Sequence, residues 1–372
     1  MRWFSSVVVL LSMITSAEAA LTPVSNFGPN PGALDMFEYA PDDLPAGSPL
    51  VVVLHGCTQQ ASGMVPAGWN TLADKYKFAV IYAQQRSANQ NLSCFSWYSA
   101  GDIGRDMGEA QSIIEMVDNA IATRHVDPKR VYVTGLSAGA AMTAVMLAAY
   151  PDRFRAGSIM AGLPYKCASS VSDTSGCQNP RTPQQWGDLV RGAFPSFTGP
   201  YPRVQIWHGS TDAVVPTANS TELVKQWTDV WGIDQTADAT DMISNTTRTQ
   251  YTASGKVVVE LDLVGGMGHA IAYGADPMGE CPATSGAYFS DQKICSTLRA
   301  AEFFGLLGSS DGDTGSDGDS GSDTGSGSDD GDAGGGGFGC NAGVDAGPGI
   351  ALALMFIARR SRRCRDTGRR SR

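Results

Sequence analysis

A serine between two glycines, Gly135-Leu136-Ser137-Ala138-Gly139, stands where the run Arg130–Thr134 (RVYVT) gives way to a small-residue helical pattern reaching Tyr150. This is the G-x-S-x-G spacing of a nucleophile elbow, in which a sharp turn lifts the hydroxyl above a sheet. The glycines leave room for the turn, and the first amides of the new helix face the developing negative charge. With 44 glycines in 372 residues the motif alone says little; the strand before it and the helix after it give it weight. A hydroxyl needs a general base, and the chain has four histidines. His125 ends a helical stretch before Asp127-Pro128 and reads as a C-terminal cap. His55 and His208 stand at strand–His–Gly junctions, where an imidazole fixes a loop by bonding backbone. His269, in Gly265-Gly266-Met267-Gly268-His269 after the run VVVELDLV, is the expected base.

The acid that orients the imidazole should lie between serine and histidine in the chain. Asp212, in VQIWHGSTDAVVP, follows a strand and precedes a helix beginning near Asn219. Asp262 lies inside the last strand and is the weaker candidate, while Asp234 and Asp241 are expected in a solvated polar loop. The oxyanion requires two N–H donors, and the amides of Cys57 in HGCTQ and of Ala138 are expected to supply them. Cys57 as a thiol nucleophile is the rival reading, disfavoured in an exported chain with Cys94 as a candidate partner. Trp97 in CFSWY reads either as a wall of an ester pocket or as packing beneath the loops; Trp207, in a strand, reads as packing.

These residues need a frame that brings loop ends together. Pro49–His55, Phe78–Tyr82, Arg130–Thr134, Gly157–Ala161, Val204–Trp207 and Val257–Val264 read as strands, several of them continuous β-branched runs. Gly108–His125 carries apolar residues at Ile113, Ile114, Val117, Ala120 and Ile121, the period of a helix. Strands alternating with helices predict an α/β fold: a mainly parallel sheet with helices on both faces and ligands at the carboxyl ends of the strands.

Six of the eight cysteines, Cys57, Cys94, Cys167, Cys177, Cys281 and Cys295, fall in this region. An even number in an exported protein suggests disulfides, whose connectivity the sequence leaves open. Cys167–Cys177 and Cys281–Cys295 are close enough to staple single loops, and Cys57–Cys94 would then join two loops after neighbouring strands. No cysteine or histidine cluster has metal-ligand spacing, so no metal site is expected. The sequons at Asn219 and Asn245 carry no sign that they are used.

Residues 1–20 have the positive start, short apolar core and Ala17-Glu18-Ala19 site of a signal peptide. Residues 21–308 form the expected catalytic domain, and 309–338 a Gly/Ser/Asp linker with nothing to bury. Ten Asp against eight Arg in 309–372 leave −2 there and −8 in 21–308, out of −10 overall. With no basic stripe, nucleic acid is not an expected partner. In 339–372 a Gly339-Cys340 pair precedes the apolar run Gly349–Ala358 and an arginine cluster. Ten residues span about 15 Å as a helix, half a bilayer core, which suits transient rather than permanent membrane contact.

LHGCTQ, GWNTLADKYKFAVIY, CFSWY, VYVTGLSAGAAMTAVMLAAYPDRF, AGLPYKC, IWHGSTDAVVP and GGMGHAIA, in this order across residues 33–308, resemble the secreted esterase/poly(3-hydroxybutyrate) depolymerase family and its acetylxylan and feruloyl esterase relatives. The resemblance implies an α/β-hydrolase fold, the triad Ser137, Asp212 and His269, no cofactor, and a carboxylic ester as substrate. Residues 339–372 resemble the C-terminal sorting signals of some Gram-negative bacteria, the myxobacterial kind included, which implies display at the cell surface. Together these predict a secreted serine esterase acting on acyl esters of polysaccharide, with polyester as the alternative substrate. A non-catalytic binding protein on a hydrolase scaffold is the rival from another class, and the intact three-residue set argues against it. Peptidase chemistry uses the same triad and stands as a third reading.

Overall fold

The computed structural model describes residues 21–170, 173, 177, 179 and 181–308; the expected signal peptide, linker and sorting tail lie outside the described residues. From the N-terminus come β1 (Thr22–Val24), β2 (Asp35–Tyr39), β3 (Leu50–Leu54), α1 (Trp69–Tyr76), β4 (Ala79–Gln84) and α2 (Gly108–Arg124). Then follow β5 (Val131–Leu136), α3 (Ala138–Ala149), β6 (Ala156–Met160), α4 (Pro183–Arg191), β7 (Arg203–Gly209) and α5 (Ala218–Val230). The last third holds β8 (Ala239–Ile243), β9 (Thr246–Ala253), β10 (Lys256–Val264), β11 (Ile271–Tyr273), β12 (Phe289–Asp291) and α6 (Ser296–Phe304).

Ten strands make one sheet in the order β1-β2-β4-β3-β5-β6-β7-β10-β9-β8. The six from β4 to β10 run parallel, and antiparallel pairs extend both edges. All six expected strands occur in this parallel centre, within a few residues of their expected bounds. The sequence reading missed six others. β2, between β1 and β4, alternates half-buried and buried residues, and β8–β9 is a Thr-rich hairpin whose first strand is almost wholly exposed, so neither carries an apolar run. Asp241, expected in a loop, lies in β8 and pairs with Arg248 at 2.7 Å.

β3 explains why the central runs are continuous rather than alternating. All five of its residues are buried, because helices cover both faces of the sheet. Leu50, Val52 and Leu54 join a core with Ile113 and Val117 of α2, Leu147 of α3, Trp186 of α4 and Trp227 of α5. Val51 and Val53 face the other way, toward Trp69 of α1 and Phe304 of α6. Phe304 stacks on both Tyr132 and Trp69, with ring centroids 4.8 and 6.1 Å apart. Every residue of α3 is buried, so the helix after Ser137 is fixed on all sides.

Candidate active site

Ser137 occupies the turn between β5 and α3 with φ 56° and ψ −117°, a backbone conformation that is costly outside glycine. The flanking glycines have a steric cause. A Cβ on Gly135 would lie 2.5 Å from the Gly139 carbonyl, and one on Gly139 would lie 2.3 Å from the Leu54 oxygen. Strand, turn and helix therefore approach more closely than any side chain permits. The Ser137 amide donates to Met160 O at 3.0 Å, and its carbonyl accepts from Ala141 N at 2.9 Å, so both ends of the turn are held.

The loop after β3 lies beside this turn. The Cβ position of Gly56 is 3.4 Å from Ser137 Cβ. His55 secures the loop: its Nδ1 donates to Gly56 O at 2.7 Å, and its Nε2 accepts from Gln85 N at 3.0 Å. Burial lowers its pKa to about 4 and keeps it neutral, which fits an anchor rather than a base. Gln59, which the sequence reading missed, accepts from Gly56 N at 2.8 Å through its side chain. Cys57 is bonded to Cys94, and Thr58 N donates to Leu92 O at 2.5 Å. Among the described residues the amides of Cys57 and Ala138 meet no acceptor. Behind the loop, Gln85 and the Ser96 amide donate to the buried carboxyl of Glu109.

Asp212 and His269 come from the loops after β7 and β10. His269 Nδ1 donates to Asp212 Oδ2 at 2.7 Å, with the two side chains 8% and 0% exposed. The other carboxylate oxygen accepts from the Val214 and Val215 amides, each at 2.9 Å. Burial works against the charge on Asp212, but the bonds from His269 and the two amides outweigh it and hold the carboxyl below its ordinary value. His208 stands 3.6 Å from Asp212, yet its Nε2 proton goes to Val215 O at 2.9 Å, and burial lowers its pKa. It buttresses the loop that carries Asp212. The two loops are laced together: Thr211 N and Oγ1 both donate to Met267 O, and Gly266 N donates to Ser210 Oγ at 2.8 Å.

Ser137, Asp212 and His269 thus all leave carboxyl ends of parallel strands at one edge of the sheet, within the order β5-β6-β7-β10. Tyr288, also unanticipated, bridges the space between the loops. Its ring meets that of His269 edge-on at 6.4 Å, and its hydroxyl lies 3.4 Å from Thr58 Oγ1. The only sequence signal for it is an aromatic residue inside the Cys281–Cys295 interval.

The remaining candidates are placed as follows. Trp97 is 3% exposed and packs edge-on to Tyr98 within the larger core, the packing role rather than a pocket wall. Trp207 is equally buried, in β7. His125 caps α2 in a left-handed conformation. Asp262 is buried in β10 with its pKa raised by burial and by Glu260 beside it. Cys167–Cys177 and Cys281–Cys295 are also bonded, so all three expected pairs form. Asn219 is fully buried, and the Asn245 amide donates to Gly265 O and Gln292 Oε1, which leaves neither sequon side chain free. Among the described residues no group of three or more metal-ligating side chains comes together. A cavity of about 590 Å³ beside β1 and β2, lined by Phe27, Asn30, Asp35 and Arg86 among others, contains none of the three site residues.

Comparison with known proteins matches residues 38–250 to the family described as Esterase PHB depolymerase. The chain belongs to this family. The esterase is 46% identical over 304 residues to the poly(3-hydroxyalkanoate) depolymerase C of Paucimonas lemoignei, covering 81% of this chain and 73% of that protein. It is 36% identical over 267 residues to feruloyl esterase B of Talaromyces funiculosus, covering 68% and 74%. With the acetylxylan esterase of Coprinopsis cinerea the identity is 38% over 263 residues, covering 68% and 69%. Among solved structures, an acetyl xylan esterase from Aspergillus awamori aligns with a TM-score of 0.65 and 26% identity, covering 77% of this chain and 100% of that one. The protein is therefore a carboxylic-ester hydrolase of the α/β-hydrolase fold.

Proposed function

We propose that the esterase is a serine enzyme working through an acyl-enzyme on esters carried by a polymer, with Ser137, His269 and Asp212 as its triad. The observation that carries this is the 2.7 Å bond from His269 to a fully buried Asp212 at the sheet edge where Ser137 forms a strained elbow. His269 takes the Ser137 proton as Oγ attacks the ester carbon, and the carbonyl oxygen becomes an oxyanion. The Cys57 and Ala138 amides donate to that oxygen, each contributing about 3–4 kcal/mol to the transition state. Collapse breaks the bond to the alcohol, which leaves with the proton from His269. Water, deprotonated by the same imidazole, then releases the acid and restores Ser137.

Acylated polysaccharide is the substrate class we assign first, in line with the acetylxylan and feruloyl esterase relatives and the acetyl xylan esterase fold match. Polyester is the second reading, favoured by the 46% identity to a polyhydroxyalkanoate depolymerase. Export through residues 1–20, a spacer at 309–338 and surface display through 339–372 complete the proposal. Three disulfides support an oxidising destination, and no helix of the described residues is long and apolar enough to cross a membrane.

The test is hydrolysis of p-nitrophenyl acetate by the full chain and its Ser137→Ala variant. A fall in kcat of more than about ten-thousand-fold, with Tm unchanged within a few degrees, is expected. Comparable rates would sink the serine mechanism.

A further inference from the structure

Three of the five exposed large apolar side chains among the described residues are on segments bonded to the site loops. Leu92 accepts from Thr58 through its carbonyl, Val214 donates its amide to Asp212, and Tyr288 approaches both Thr58 and His269. Tyr288 is the most constrained of them. It is 45% exposed yet has φ 67°, a conformation that a bulky side chain rarely adopts. Its carbonyl accepts from Ile271 N at 2.8 Å, just past His269, and the preceding Ala287 O accepts from Gln59 Nε2 at 3.4 Å. The Cys281–Cys295 bond closes the loop that carries it. An exposed aromatic ring held in unfavourable backbone by contacts to both sides of a candidate site signals function rather than packing.

We propose that Tyr288 is a specificity-determining residue that binds the alcohol half of the ester, the sugar of the acylated polysaccharide assigned above. The inference rests on the serine-esterase reading. If His269 protonates the leaving oxygen, the alcohol must lie on the imidazole side of the carbonyl, while the oxyanion lies toward the Cys57 and Ala138 amides. Tyr288 touches the imidazole ring at one end and reaches Thr58, the neighbour of Cys57, at the other, so it borders the path by which the alcohol departs. An aromatic face suits the C–H face of a pyranose, and a phenol supplies a polar edge. The Tyr288 and Thr58 hydroxyls both donate and accept, as sugar hydroxyls do. A polyester chain offers acceptors alone.

The test compares two esters with the same acyl group, acetylated xylo-oligosaccharide and ethyl acetate, using the full chain and its Tyr288→Ala and Tyr288→Phe variants. The ratio of kcat/KM between the sugar ester and ethyl acetate is expected to fall about tenfold in the alanine variant, with the loss in KM for the sugar ester. Tyr288→Phe keeps the ring, removes the hydroxyl and is expected to lower the ratio about threefold, which preserves the test if the alanine variant fails to fold. An unchanged ratio in the folded variants would overturn the assignment. Wild-type enzyme that cleaves ethyl acetate and hydroxybutyrate oligomers but not the sugar ester would overturn the sugar alone. Wild-type enzyme that cleaves no ester would instead count against the proposed function.

Discussion

Asp212 and His269 are separated by 57 positions in the chain, yet they share a 2.7 Å hydrogen bond. Asp212 accepts from two backbone amides through its other oxygen, so its carboxylate is held on three sides. Replacing it by Asn keeps the shape and places an N–H donor where an acceptor now meets His269. The imidazole is then forced into the wrong tautomer. Asp212→Asn is expected to lower kcat about ten-thousand-fold with little change in KM. A steady-state assay on p-nitrophenyl acetate reads both, and a loss below about tenfold would reassign the acid.

Gly139 is the tightest point of the elbow. A methyl group there would press into the Leu54 oxygen at 2.3 Å and the His55 oxygen at 2.5 Å, and both are backbone atoms with nowhere to go. Gly139→Ala is expected to destabilise the fold by about 1–3 kcal/mol and to displace Ser137 and the loop after β3 together. Urea unfolding measures the first effect and kcat the second. A variant of wild-type stability and activity would show that the elbow is looser than its geometry implies.

The carboxyl of Glu109 has its pKa raised from 4.5 to about 7, chiefly by burial, with bonds from Ser96 and Gln85 pulling it down and Asp102 pushing it up. The folded protein therefore holds this proton more tightly than the unfolded chain, and its contribution to stability is lost as pH rises through about 7. His55 works in the opposite direction: with a pKa lowered from 6.5 to about 4, its contribution is lost as pH falls through that interval. Both groups titrate between pH about 4 and 7, so the difference between the wild type and a Glu109 variant, which share His55, isolates Glu109. The Tm of the wild type relative to that of Glu109→Gln is expected to fall as pH rises from 4.5 to about 7 and to level off above it. An identical slope in both proteins would refute the assignment.

Local chemistry wrote much of this molecule into its sequence. The buried centre of the sheet was legible because strands covered on both faces must be apolar throughout, as Leu50–Leu54 is. The elbow was legible because only glycine tolerates the approach of α3 to β3 that surrounds Ser137. The edge strands were not, since β9 gains its order from backbone pairing with β10, and β8 from pairing with β9, rather than from apolar runs.

What the sequence determined by itself were the parts whose cause is local: strand, turn, helix, cap and the residue types able to do acyl transfer. Tertiary structure decided what depends on several loop ends meeting. It joined His269 to Asp212, left His208 and His55 to hold loops by their backbone bonds, and buried Trp97 in the core. It also set Tyr288 between the imidazole and Thr58, a relationship across 230 positions that no spacing along the chain encodes. The physical reason is that a parallel sheet gathers the ends of distant strands at one edge, and only the packing of those loops selects which side chains face one another.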